Sequence, residues 1–135
     1  MLFIAEIGMN HNGNLDLCNE LVRRAKWAGA DIAKFQLGWR ANVDEINHIT
    51  PEDLKKIEDI CNYYDIEYMA SIITEDGLEL SKCTNPKRYK IASRTVIDNP
   101  DLVKTILELG KPTFLSLGMW DSEELPFTEY ENITY

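Results

Sequence analysis

Asp31-Ile-Ala-Lys-Phe-Gln36 follows directly on a helix-like segment closing with Ala28-Gly29-Ala30, and it reads as a short buried strand. Lys34 and Gln36 stand two residues apart, so both side chains point to the same side of the pleat. A strand flanked by helices is normally apolar on both faces, because a parallel sheet is covered on both sides. An ammonium group there is costly unless something anionic meets it. A polar residue late in an apolar strand recurs down the chain. The series reads as a site for an anionic substrate.

Working outward, Leu2–Ile7 is a first strand and Gly8–Asn14 a loop with a tight Asn12-Gly13 turn. Leu15–Trp27 repeats its apolar residues at three and four, the period of an amphipathic helix. After the central strand, residues 38–49 form a longer excursion without a period. Thr50-Pro51-Glu52-Asp53 then starts a helix: an N-cap, a proline at the first helical position, and acids in the first turn. Glu67–Ile73 is strand three, Thr74–Lys82 a short helix, and Arg88–Ala92 strand four. Asn99-Pro100-Asp101 opens the next helix, which Gly110 ends. Pro112–Leu117 is strand five, residues 120–131 are turn-like, and Asn132–Tyr135 begins a sixth strand. Alternation of this kind predicts parallel strands joined by right-handed crossovers. Either a doubly wound open sheet or part of a (β/α)₈ barrel fits it. A full barrel takes about 250 residues, so 135 residues correspond to roughly half of one.

Composition narrows the class. The apolar 44% and charged 27% are those of a soluble globular domain. Fourteen Lys+Arg against 23 Asp+Glu give a net charge of −9, which argues against a nucleic-acid surface. No apolar run approaches the roughly 18–20 residues of a membrane helix. Cys18, Cys61 and Cys83 are odd in number and lack metal spacing. They read as reduced thiols of a cytoplasmic protein.

Both candidate architectures place binding groups at the carboxyl ends of strands. Glu6 and the Asn10-His11-Asn12 loop lie there, as do Lys34, Gln36, Ser71, Thr74, Lys90, Ser93, Arg94 and Ser116. Lys34 and Lys90, with hydroxyls beside them, would cradle a phosphate and a carboxylate. The bland alternatives are a lysine reaching the rim or paired with Glu6, and serines capping backbone groups. Glu6 could serve as a base or position water. His11 fixes its loop or takes part in catalysis, and His48 lies solvated in the excursion. The two histidines are too far apart in sequence to make a metal site by spacing. Trp39 and Trp120 follow strands and could shape a pocket mouth. There is no P-loop or Gly-rich dinucleotide fingerprint.

Phe3–Gly13 (FIAEIGMNHNG), Ala28–Gln36 (AGADIAKFQ), Tyr89–Ser93 (YKIAS) and Lys111–Met119 (KPTFLSLGM) together resemble the sialic acid synthase family, in its order and at its approximate spacing. The resemblance implies a (β/α)₈ TIM barrel. That barrel condenses phosphoenolpyruvate with an N-acetylated amino-hexose such as N-acetylmannosamine, giving a nonulosonic acid and phosphate. It implies a phosphoenolpyruvate site at Lys34, Gln36, Ser71, Lys90, Ser93 and Ser116, with Glu6 near the reacting centre. It also implies a divalent metal, typically manganese, whose histidine ligands lie on strands beyond residue 135. The C-terminal half-barrel and an antifreeze-like domain lie there too.

The chain departs from the family at Ser71-Ile72-Ile73, where Thr-Pro-Phe is usual, and at Ser93-Arg94-Thr95, where Ser-Gly-Glu is usual. It departs again at Ser116-Leu117-Gly118-Met119, where Ser-Thr-Gly-Met is usual. Arg94 would suit a more acidic acceptor. The expectation is a single domain over 1–135, the N-terminal part of such a barrel, holding half the cradle and turning nothing over alone. Exposed sheet edges would favour a homo-oligomer or other association. Two competing readings are a Schiff-base aldolase using Lys90 or Lys34, and a non-catalytic half-barrel that binds an anion or another chain.

Overall fold

The computed structural model describes residues 1–40 and 42–135; Ala41, in the excursion, lies outside the described residues. Six strands form one sheet: β1 (Ile4–Gly8), β2 (Ile32–Leu37), β3 (Glu67–Ile72), β4 (Tyr89–Ile91), β5 (Thr113–Leu115) and β6 (Ile133–Thr134). Every pairing is parallel, and the order in space is the order in sequence, β1 to β6. A doubly wound sheet reverses its strand order at a switch point. This one does not, so the sheet winds one way, as a partial (β/α)₈ barrel does.

The helices form where local sequence fixes their ends. In α1 (Leu15–Trp27), the Asn14 side chain accepts from the Asp16 and Leu17 amides at 2.9 and 3.0 Å. For α2 (Pro51–Tyr63), Thr50 and Asp53 form a reciprocal capping box ahead of the expected acidic first turn. Thr74 caps α3 (Glu75–Ser81), and Asn99 caps α5 (Pro100–Leu107). Between β4 and α5 stands a helix that the sequence reading left out, α4 (Ser93–Asp98). The segment is rich in β-branched residues, which favour a helix weakly, yet Thr95 and Val96 are buried, and that burial outweighs propensity. The strands are also shorter than read. Leu2 and Phe3 precede β1 and are about half exposed, and Ser116 lies just beyond β5.

Alternation along the strands separates two interiors. Ala33, Phe35 and Leu37 of β2 join Ala70, Ile72, Ile91 and Leu115 in the core beneath the helices. There they meet Val22 of α1, Ile57 of α2 and Ile106 of α5. Cys18 and Cys61 are buried in the same layer as free thiols, and burial pushes Cys18 up to about 12. Gly77 sits where an added Cβ would lie 2.5 Å from the Leu37 carbonyl oxygen, so α3 docks on the end of β2 only without a side chain there. The opposite face of the sheet carries Ile32 and Met69, both fully buried yet apart from that helix-side core. This is the concave side. Among the described residues, no helix is long and apolar enough to cross a membrane.

Candidate functional site

The register of the sheet aligns the polar side chains of the concave face. Glu6 of β1 is level with Lys34 of β2. Gln36 is level with Ser71 of β3, and Ser71 with Lys90 of β4. Lys90 is in turn level with Phe114 of β5. Parallel pairing keeps residues of one parity on one face, so these groups converge above the carboxyl ends of the strands. A register shift between Glu6 and Gly8 loosens the end of β1, and Gly8 has a left-handed φ of 59°.

A hollow of about 670 Å³ opens over this face. Glu6, Lys34, Lys90, Ser93 and Ser116 line it, above a floor that includes Met69 and Phe114. Gln36 turns instead into a neighbouring depression that shares Glu6. Ser71 is buried at 2% exposure between Gln36 and Lys90 in the register, outside the lining. His11 is buried behind the sheet, its ring 6.1 Å from that of Phe35. Its Nδ1 accepts the Gly13 amide at 3.1 Å, and burial lowers its pKa. That contact holds the loop. Arg94 lies on the outer side of α4, 3.8 Å from Asp98. Trp39 lines the neighbouring depression, while the Trp120 indole donates to the Glu124 carbonyl at 2.9 Å. His48 is partly buried rather than solvated.

The two lysines differ. Lys34 is ion-paired with Glu6, and its side chain is 12% exposed. Lys90 has no carboxylate within ion-pair distance among the described residues, and its Nζ donates to the Ile91 carbonyl at 2.7 Å. That carbonyl also accepts the Ser116 amide at 3.1 Å, which ties β5 to β4 at the rim. Burial, then the nearby Lys34 charge, push Lys90 down to about 8, against a smaller upward pull from Glu6. Below that pH the site holds a desolvated cation that lacks a counter-charge of its own.

Among the described residues, no three His, Cys, Asp or Glu side chains stand together to hold a metal ion. Glu6, the carboxylate at the hollow, is already engaged by Lys34.

Comparison with known proteins places this geometry in context. The model of the NeuB family matches residues 39–128. The uncharacterized protein MJ1065 of Methanocaldococcus jannaschii is 30% identical over 132 residues, covering 90% of this chain and 39% of that protein. The N,N'-diacetyllegionaminic acid synthase of Legionella pneumophila is 30% identical over 146 residues, covering 90% of this chain and 41% of that protein. The chain thus spans about two fifths of the curated relatives it matches. The crystal structure of an N-acetylneuraminic acid synthetase from Leptospira borgpetersenii superposes with a TM-score of 0.78 at 23% identity. It covers 90% of this chain and 46% of that one, and the likeness is one of fold.

Proposed function

This chain belongs to the NeuB family, and we propose that it carries the phosphoenolpyruvate-binding side of a synthase that joins this compound to an N-acetylated amino-hexose, making a nonulosonic acid. The observation that carries the reading is Lys90, a half-buried ammonium facing a hollow without an anionic partner of its own. A buried charge of that kind is a standing cost, and a small dianion relieves it. The name of the Legionella relative, an acid-sugar synthase, points to the same class of reaction.

In this reading Lys34 and Lys90 hold the phosphate and carboxylate of phosphoenolpyruvate, and the Ser93 and Ser116 hydroxyls donate to their oxygens. The enol carbon attacks the sugar aldehyde, forming the new carbon–carbon bond. Water then adds to the resulting cation at the neighbouring carbon, and phosphate leaves with the oxygen that bridged it. Glu6, beside Lys34, is placed to take a proton from that water. The apolar floor of Met69 and Phe114 limits water near the ligand, which strengthens each charged contact. The divalent metal of the family reaction would polarise the aldehyde. Among the described residues, no cluster of His, Cys, Asp and Glu side chains would hold it. By the same reading the 135 residues alone bind phosphoenolpyruvate and do not complete synthesis.

A second reading draws on the same lysine. An amine with its pKa lowered to about 8 is partly neutral near physiological pH, as a Schiff-base nucleophile must be. Phosphoenolpyruvate titrated into the chain at pH 7 is expected to bind saturably, and borohydride added with pyruvate is expected to trap no adduct. A mass increase on Lys90 after reduction would transfer the assignment to the aldolase.

A further inference from the structure

The Lys90 amine has a second chemistry at the same hollow. It lines the cavity of about 670 Å³, is only partly buried, and has no carboxylate within ion-pair distance among the described residues. One of its hydrogens goes to the Ile91 carbonyl at 2.7 Å. In the neutral amine the lone pair then points away from that oxygen, because two electron-rich centres repel. Burial, with the Lys34 charge adding to it, holds Lys90 down at about 8, so part of it is neutral at mildly alkaline pH.

An electrophile that enters neutral and becomes an anion on addition suits these surroundings. Carbon dioxide does this with an amine. The nitrogen lone pair forms a bond to carbon, one carbon–oxygen π pair moves onto oxygen, and an N–H proton passes to solvent. The carbamate keeps one N–H, which still serves the Ile91 carbonyl. Its new carboxylate shares the hollow with the Lys34 ammonium, whose charge is felt at Lys90, and with the hydroxyls of Ser93 and Ser116. A cation without a counter-charge is thereby replaced by an anion beside a cation.

We propose that Lys90 is a reversible carbamylation site for carbon dioxide, and that its carbamate excludes phosphoenolpyruvate from the hollow. The second clause rests on reading the hollow as the phosphoenolpyruvate site; the first stands on the surroundings of the amine alone. Carbamate formation loses no water, so it does not require the pyruvate adduct of the aldolase reading.

To test this, the chain is equilibrated with isotope-labelled bicarbonate and dissolved carbon dioxide at pH 8. Triethyloxonium then alkylates and fixes any carbamate, and peptide mapping by mass spectrometry locates it. The label is expected on Lys90 above every other lysine, on a peptide distinct from that of the Met1 amine. The carbamate carbon resonance should diminish in Lys90→Arg, whose guanidinium stays protonated. Saturating phosphoenolpyruvate is expected to suppress the Lys90 label. Conversely, the carbon dioxide level that carbamylates half of Lys90 should weaken phosphoenolpyruvate binding about twofold. A Lys90 peptide without label, or labelled no more than those of the exposed lysines, would overturn the site. Label that bound phosphoenolpyruvate leaves unchanged would overturn the competition. Titrating phosphoenolpyruvate in buffer free of carbon dioxide keeps the two claims apart. Failure to bind there sinks the reading of the hollow, while the label on Lys90 decides the carbamylation by itself.

Discussion

Lys90→Met is expected to weaken phosphoenolpyruvate binding on the order of 100-fold while making the protein more stable. The loss follows from removing one of two cations from a partly desolvated site, where truncating a charged partner typically costs about 3 kcal/mol. The gain follows from the same burial. Lys90 titrates at about 8 in the folded chain against an ordinary 10.5, so the unfolded chain binds more protons between those values. Burying the charged form therefore destabilises the fold fully below about pH 8. That penalty fades as pH rises towards 10.5. After discounting for the group's partial exposure to solvent, it amounts to on the order of 1–2 kcal/mol. Methionine fills similar space without the charge, and the Ile91 carbonyl keeps its bond from the Ser116 amide. Urea unfolding at pH 7 and pH 10 checks this: the stability difference between the variant and the parent should be larger at pH 7. A variant that is less stable at pH 7, or that binds undiminished, would remove Lys90 from the account.

Phe35→Ala is expected to destabilise the chain by about 3–5 kcal/mol. Phe35 is fully buried on the helix side of β2, with the rings of His11 and Tyr68 at 6.1 and 5.9 Å. Its removal leaves a cavity between the strand-one loop and the sheet that neighbouring strands cannot close without shifting. Domains are stable by only about 5–15 kcal/mol in total, so the loss takes a large share. The midpoint of urea unfolding measures it. A drop under about 1 kcal/mol would show that the β2 face is not the centre of the core.

The helix starts and the sense of the sheet were legible because their signals are local. Thr50-Pro51 and Asn99-Pro100 each announce a helix start within a few residues, and period-two alternation in residues 32–37 told the two faces apart. The winding direction was not legible from alternation, which fits open and closed sheets alike; the sequential strand order decides it. The helix α4 escaped because tertiary burial of Thr95 and Val96 forms it against weak propensity. Partner choice escaped as well. Nothing local indicates that Lys34 pairs with Glu6 and Lys90 does not, since that depends on strands 28 residues apart in sequence being placed side by side.

The central claim is that a phosphate- and carboxylate-bearing anion sits against the desolvated Lys90 ammonium, and calorimetry of phosphoenolpyruvate binding at pH 8.5 in two buffers of different ionisation enthalpy tests it most directly. With a free-state pKa lowered to about 8, Lys90 has given up part of its protonation at that pH. A bound anion restores its proton, so net proton uptake is predicted at pH 8.5 and less of it at pH 7. Binding with the same heat in both buffers at pH 8.5 would contradict the account.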